Sequence, residues 1–378
     1  MSASRTRVVF GAGRLAELGD VVRGERVARV LLVTDPGIVR AGHVDRAVAA
    51  LVRAGVHVAV FDGVQENPTT HHVDAAVDAA RSHRADGLVG LGGGSAMDCA
   101  KGANFILTNG GTMADYWGRN KATRPMLPMI AVPTTAGTGS EAQCFALIAD
   151  PVTHQKMACG DDKAACRVAV LDPDLTATQP PRVAAAAGID AITHTVETAA
   201  TTARNETSIT FSREAWYRLA PTLVHAIRNP TDAGARARML LGAHLAGCAI
   251  EHAMLGAAHA CANPLTARFG ITHGIAVGVM LPHVVRYNAR LDTPGEPTAG
   301  AENPYAALEP DAGALVARLD SMLDAADMPQ SLSALNIDED ALPELATDAA
   351  AQWTARFNPR PVDRNALLRL YRRAFASR

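Results

Sequence analysis

Between Val30 and Leu171 the chain repeats one pattern, a short and nearly continuous apolar run stopped by turn residues and then a longer stretch with helical spacing. Val30–Thr34 (VLLVT) stops at Asp35-Pro36-Gly37, after which Val44, Ala47, Val48, Leu51 and Val52 recur at three- and four-residue intervals. Val56–Phe61 stops at Asp62-Gly63, Val73–Arg84 is amphipathic, and Gly87–Leu91 runs into Gly92-Gly93-Gly94-Ser95. Met129–Val132 and Val168–Leu171 continue the series. Strands that are apolar at nearly every position are buried on both faces, and strands joined through helices run parallel. The pattern predicts an α/β domain built on a parallel sheet with helices on both faces.

At 378 residues the chain exceeds the length at which one hydrophobic core stops growing, so a second domain is expected. Beyond Asp172-Pro173-Asp174 the character changes. From about Ala184 the chain is rich in Ala, Leu, Met and Arg, and strand-like alternation is sparse. Pro180-Pro181 marks the junction, giving an α/β domain over 1–179 and an all-helical domain over 180–378. Pro and Gly breaks are expected near 229–234, 294–304 and 358–361, with Thr293–Pro304 (TPGEPTAGAENP) an exposed connection.

The charge balance narrows the partners. Lys and Arg number 36 against 38 Asp and Glu, so no basic surface invites nucleic acid or an anionic membrane. No stretch approaches the roughly 20 uncharged apolar residues a membrane-spanning helix needs, and MSASRTRVVFGAGRL has no secretory apolar core. The six cysteines form no CxxC pair and read as reduced, mostly buried thiols. A cytoplasmic protein is expected.

Two glycine-rich sites compete for a dinucleotide. Gly11-Ala12-Gly13-Arg14-Leu15-Ala16 fits G-x-G-x-x-A with Asp35 downstream, but it follows a strand of only three or four residues, and a simple turn is the preferred reading. Gly92-Gly93-Gly94-Ser95-Ala96-Met97-Asp98 follows a stronger strand and opens a helix through Ala100 and Ala103. Three glycines let backbone N–H groups approach a pyrophosphate, and Ser95 or Asp98 can cap the helix, whose positive end favours an anion. The alternative is a tight turn with no ligand. Pro133–Glu141 (PTTAGTGSE) adds four hydroxyls at a strand's carboxyl end, suited to phosphate and ribose or simply to capping a loop. Asp35, also at a strand's end, can accept from an adenosine ribose and would repel a 2′-phosphate, favouring NAD over NADP.

A second constellation suits a metal. Gly188–His194 places Asp190 and His194 four apart, on one face of a helix. His259 lies in the apolar run Met254–Cys261, and His273 follows in Ile271-Thr272-His273-Gly274. A lone histidine in such surroundings is ordinarily a hydrogen-bonded core residue. The four together read as a divalent-ion site.

Asn67-Pro68-Thr69, Gly92–Lys101 (GGGSAMDCAK), Pro133–Glu141, Gly188–Glu197 (GIDAITHTVE), His273–Asn288 (HGIAVGVMLPHVVRYN) and Asn358-Pro359-Arg360-Pro361 resemble, in this order along the chain, the iron-containing alcohol dehydrogenases. The resemblance implies an NAD-binding α/β domain over 1–179, a helical metal-binding and catalytic domain over 180–378, and a site in the cleft between them. It implies metal ligands at Asp190, His194, His259 and His273. Cofactor contacts would fall on Asp35, Asn67, Gly93, Gly94, Ser95, Asp98, Thr134, Thr135, Thr138 and Lys156, and the substrate pocket on Phe145, Ile250, Asn263 and Thr354. The implied reaction is hydride transfer between NAD(H) and a small alcohol or aldehyde, with the metal as Lewis acid on the substrate oxygen. Three imidazoles and a carboxylate accept Fe2+, Zn2+, Co2+ or Mn2+; Fe2+ is the family default and Zn2+ the alternative. A homodimer is expected.

One position departs from the family. Many members carry a second histidine four residues after the first loop ligand, where this chain has Asn263, which hydrogen-bonds but cannot titrate. Proton release would then use the cofactor ribose and water, or His252 or His283. Two rival readings are a dehydroquinate-synthase-like lyase or cyclase and a cofactor-binding protein without catalysis. The first would grip a phosphorylated substrate with clustered Lys and Arg, whereas the charges nearest the ligand motifs are Glu197, Glu251 and Arg268. The intact ligand set speaks against the second.

Overall fold

The computed structural model describes residues 6–153, 155–291 and 303–376. The Thr293–Pro304 connection, apart from Asn303 and Pro304, lies outside the described residues. The chain forms two compact units, one ending at Gln179 and the other beginning at Pro180.

In the first unit, strands β1 (Arg7–Phe10), β2 (Arg29–Val33), β3 (His57–Phe61), β4 (Gly87–Gly92), β5 (Gly118–Arg119), β6 (Met129–Pro133), β7 (Phe145–Ala149), β8 (Lys156–Gly160) and β9 (Val168–Leu171) alternate with helices α1 (Leu18–Gly24), α2 (Pro36–Arg40), α3 (His43–Arg53), α4 (Thr70–His83) and α5 (Gly94–Asn109). Six strands make one parallel sheet in the order β1-β9-β6-β4-β2-β3. The expected strands fall within a residue or two of their observed ends.

The two-residue period of a strand decides which helices cover which face. Val30 and Leu32 of β2 pack with Leu18 and Val22 of α1 and with Val44, Ala47 and Leu51 of α3. Leu31 and Val33 point the other way, into a second core with Val73 and Val77 of α4 and Ala100 and Ala103 of α5. Each Val or Leu so buried contributes roughly 1.5–3 kcal/mol. The apolar pattern predicts no strands at Phe145–Ala149 or Lys156–Gly160. These form an antiparallel hairpin, joined by β5 into a small second sheet. Strand β1 lies at the edge of the large sheet, leaving Val8 and Phe10 37 and 38 % exposed.

The first glycine motif is a turn, and the structure gives the reason. The N–H groups of Gly13 and Leu15 donate to the two carboxylate oxygens of Asp172, at 3.0 and 2.9 Å. The chain's own anion fills the place a phosphate would take.

Among the described residues the regular elements of the second unit are all helices: α6 (Pro181–Ala200), α7 (Glu206–Leu219), α8 (Leu223–Arg228), α9 (Ala233–His252), α10 (Ala257–Phe269), α11 (His273–Asn288), α12 (Ala312–Ala325), α13 (Leu342–Ala350) and α14 (Arg364–Phe375). Helix α6 is buried almost continuously from Ala185 to Ala200, as its Ala-rich sequence allows. The break expected over 229–234 closes earlier, because Asp232 caps α9 by accepting from Ala235 N at 3.0 Å. A sharper break separates α9 from α10, which meet at 105°. Among the described residues no single helix is long and apolar enough to cross a membrane.

Candidate metal centre and nucleotide cradle

Asp190 and His194 share the inward face of α6, His259 lies in the first turn of α10 and His273 opens α11. Within this unit the three imidazoles converge on one atom. Asp190 Oδ1 lies 3.3 Å from His194 Nε2, 3.6 Å from His259 Nε2 and 3.7 Å from His273 Nε2. Ligands held at 2.0–2.2 Å around a tetrahedral ion stand about 3.4 Å apart, so these spacings are those of a first coordination shell. Asp190, His259 and His273 bring their ligand atoms all within 4.8 Å of one another. The ring of His194 stacks on that of His259 at 4.9 Å between centroids.

Asp190 Oδ1 and His259 Nε2 are buried and make no hydrogen bond. An apolar interior rarely leaves such atoms unsatisfied, and a cation between them would satisfy both at once. The donor set therefore fits a divalent metal. The electrostatics agree. Burial opposes the anion of Asp190, but His194, then His259 and His273, hold its carboxyl well below the usual range. Burial likewise opposes charge on His259, yet Glu197 and Asp190 outweigh it and raise its pKa to about 9. Both shifts have one cause: the imidazoles and carboxylates gathered here favour each other's charged forms.

In the first unit, the nucleotide candidates gather at the carboxyl ends of β2, β4 and β6. Asp35 caps α2, its Oδ1 accepting from Gly37 N at 2.8 Å and Ile38 N at 3.1 Å. Its other oxygen faces Gly92, where an added Cβ would stand 3.4 Å away. Gly92 has φ +151°, a conformation that favours glycine. The hydroxyl loop folds over the same turn. Thr134 N donates to Gly92 O at 2.9 Å, Thr135 lies over Gly93, and a Cβ on Gly94 would strike Thr138 at 2.9 Å. Asn67 takes a left-handed conformation (φ 54°) before the Thr69 cap of α4, and Lys156 opens β8.

The expectation that Ser95 or Asp98 caps α5 fails. No side chain caps that helix, whose N-cap residue is Gly93. Asp98 lies one turn too far in and is spoken for: it accepts from Ser140 Oγ at 2.7 Å and from Leu147 N at 3.3 Å. With no side chain at its N-terminus, α5 keeps its positive end available for an anion.

The model of "Iron-containing alcohol dehydrogenase" matches residues 5–173, and that of "Fe-containing alcohol dehydrogenase family, C-terminal" matches 184–375. The chain belongs to the iron-containing alcohol dehydrogenase family. It is 39 % identical to alcohol dehydrogenase 4 of Schizosaccharomyces pombe over 75 % of this chain and 67 % of that one. A solved 1,3-propanediol oxidoreductase superposes with a TM-score of 0.91 at 31 % identity, covering 98 % of both chains. Sulfoacetaldehyde reductase from Bifidobacterium kashiwanohense, solved with NAD+, gives 0.87 at 28 % identity, covering 100 % of this chain and 98 % of that one. As a member of this family the chain is an oxidoreductase.

Three residues of this oxidoreductase escaped sequence reading. Glu197 supports His259 directly, its Oε2 2.5 Å from His259 Nδ1. It appeared in the sequence only as a nearby charge, although it lies on the Asp190/His194 face of a helix. Lys101 is fully buried and donates to Ser140 O, Ser140 Oγ and Phe145 O at 2.6, 2.8 and 2.9 Å, tying the hydroxyl loop to α5. Gln352 accepts from Asn263 Nδ2 at 3.0 Å, so Asn263 belongs to a pair of amides. Of the other pocket candidates, Ile250 lies buried on α9 and Thr354 is buried beside the Ala355–Phe357 turn. Phe145 belongs to the first unit, its ring packed over Gly160 and beneath Arg119. The two remaining relay candidates sit apart in sequence and environment: His252 stacks on Phe211 at 5.7 Å, and His283 is buried in α11.

Proposed function

We propose that this chain transfers hydride between NAD(H) and a small alcohol or aldehyde, using a divalent ion held by Asp190, His194, His259 and His273. The observation that carries this reading is the convergence of three imidazole Nε2 atoms on one buried carboxylate oxygen. Fe2+ is the first choice and Zn2+ the alternative, since both accept an N3O set. Bound in place, the ion supplies Lewis acidity at a substrate oxygen and the nicotinamide gives or takes the hydride.

The protein's own residues supply binding and orientation. The uncapped start of α5 at Gly93-Gly94-Ser95 receives the pyrophosphate, with Asp98, Thr134, Thr135 and Thr138 shaping the loop around it. Asp35, Asn67 and Lys156 are assigned to the nucleotide sugars, and Phe145, Ile250, Asn263 and Thr354 to the substrate pocket. The domains divide accordingly, NAD to 1–179 and metal to 180–378. We place the enzyme in the cytoplasm as a homodimer; the exposed apolar edge of β1, with its unpaired backbone, supports association there.

An NADH-oxidation assay over a panel of short aldehydes, with elemental analysis of the same preparation, tests the reading. No turnover of any aldehyde by protein holding about one ion per chain would refute it. The cofactor assignment makes its own prediction. Wild-type protein should use NADH far better than NADPH, and Asp35→Gly should narrow that ratio about tenfold or more by removing a charge opposite the 2′-phosphate. Glycine is tolerated at a helix N-cap at a cost of a few tenths of a kcal/mol, so α2 should survive. A preference for NADPH in the wild type would rule out the placement of Asp35.

The amide pair at Asn263 predicts a pH effect. Asn263→His puts a group titrating near neutrality beside Gln352, and the pH profile of alcohol oxidation should shift. Superimposable profiles for the two proteins would leave Asn263 a role in pocket shape alone.

A further inference from the structure

Glu197 completes a series on α6. Asp190, His194 and Glu197 stand at i, i+4 and i+7, one face of the helix, and all three are buried. The carboxylate of Glu197 meets two N–H groups on α10. Oε2 lies 2.5 Å from His259 Nδ1, and Oε1 accepts from Ala258 N at 2.7 Å. Beside it, Asn358 Oδ1 accepts from Ala257 N at 3.3 Å. Helix α10 has no cap of its own, since its N-cap residue is Gly256. A Cβ on Gly256 would stand 3.1 Å from both Glu197 Oε1 and Asn358 Oδ1, so the close approach of these two side chains depends on glycine. The first turn of α10, which carries His259, is thus capped from two other segments of the same unit.

A neutral imidazole has two tautomers, and only the one protonated at Nδ1 presents a lone pair at Nε2, the nitrogen that faces Asp190. A carboxylate accepting at Nδ1 selects that tautomer and fixes the ring about its axis. We propose that Glu197 is the positioning residue of the metal centre, holding His259 as its Nδ1–H tautomer and coupling that hold to the N-terminal cap of α10. The inference rests on the metal reading of the same site and adds a residue to it that binds no ion itself.

The chemistry of the side chain makes the idea testable. Two N–H donors face Glu197, and a carboxylate can accept from both. Here the two donors meet different oxygens of Glu197, and glutamine puts an NH2 donor in place of one of them, so in this geometry it can accept from only one. If its oxygen stays with Ala258 N, its NH2 faces His259 Nδ1 and favours the opposite tautomer, with the proton on the metal-facing nitrogen.

The experiment titrates the full-length wild-type protein, Glu197→Gln and Glu197→Asp with Co2+ against a chromogenic chelator. Nitrogen-15 spectra of labelled histidine are recorded on the cobalt-free and Zn2+-loaded forms. Glu197→Gln should weaken Co2+ binding about 10–100-fold, the range seen when the outer partner of a ligating histidine is lost. Glu197→Asp, which keeps two acceptors on a shorter arm, should recover part of that loss, whereas a cap role alone would leave all three affinities equal. The Nδ1–H signature of one histidine in the Zn2+-loaded wild type should be lost or changed in Glu197→Gln. Should Glu197→Gln fail to fold, the Asp variant decides the matter, with affinity unchanged from wild type counting against the proposal. Wild-type protein that binds Co2+ while Glu197→Gln binds it within twofold as tightly overturns this inference alone. Wild-type protein that takes up no Co2+ overturns the metal reading and this inference with it.

Discussion

His273→Ala should lose more than about 100-fold in both metal affinity and activity, because loss of an outer-shell partner alone already costs 10–100-fold. The fold should survive. His273 opens α11, its side chain is 29 % exposed, and a truncated group there is replaced by solvent. His259→Ala should lose the ion as well but also lose stability, because His259 stands buried between Glu197 and Asp190, whose charges would be left facing each other. Elemental analysis of dialysed protein and thermal melts in chelator separate the two outcomes; full occupancy in His273→Ala would remove it from the ligand set.

The same site predicts how metal-free stability varies with pH. His259 has its folded pKa raised to about 9, above the ordinary imidazole value near 6.5. Its contribution is therefore complete below about pH 6.5 and lost as pH rises through about 9. Asp190 is depressed, so its contribution is present above about pH 4 and is lost only as pH falls toward its folded value. The chelator-treated protein should be most resistant to denaturant between about pH 4 and 6.5 as far as these two groups decide it. Metal uptake must displace the His259 proton, so Co2+ affinity should rise with pH up to about 9. A denaturation midpoint that climbed steadily from pH 6.5 to 9 would contradict the assignment of charge to His259.

The largest stability effect is expected at Lys101. Its ammonium is fully buried, donates three hydrogen bonds and lies 4.0 Å from Asp98. Lys101→Met keeps most of the apolar stem but removes the counter-charge of Asp98 and three donated hydrogen bonds, and the loss of one partner from a buried pair costs about 3–5 kcal/mol. Burial already pushes the Asp98 carboxyl up, against the pull of Lys101 and Ser140. Without the lysine its carboxyl should be pushed up further, because the largest opposing pull is gone. Adding Asp98→Asn to Lys101→Met should return part of the loss, because an amide needs no counter-charge. Since Lys101 anchors Ser140, NAD binding should weaken in the single variant. Urea unfolding curves for the two single variants and the double variant measure this directly. Equal stability of Lys101→Met and wild type would mean that the ammonium only offsets its own desolvation.

Much of the site was legible because its chemistry is locally encoded. Asp190 and His194 read as a pair from helical spacing alone, and the three glycines after Gly87–Leu91 read as a strand-to-helix turn. His259 and His273 were visible as rare polar residues in apolar runs, but their meeting at Asp190 rests on α6, α10 and α11 packing together. Glu197, Lys101 and Gln352 were present in the quoted segments or beside them and carried no distinguishing pattern. A buried salt-bridging lysine and a solvated one look alike in a sequence. The capping assigned to Ser95 and Asp98 followed residue preference, and the tertiary contact with Ser140 and Leu147 took Asp98 elsewhere.

What the sequence determined by itself was periodicity, and with it the parallel sheet, the faces of its helices and the change to a helical second half. Those follow from the two- and 3.6-residue repeats that any short segment displays. Partnership was decided only in three dimensions. Asp172 fills the anion site of Gly13 and Leu15 across 159 and 157 residues of chain, and Glu197 selects the orientation of His259 across 62. Such hydrogen bonds depend on where distant segments come to rest in the packed interior, and a buried donor takes whichever acceptor that packing puts within reach.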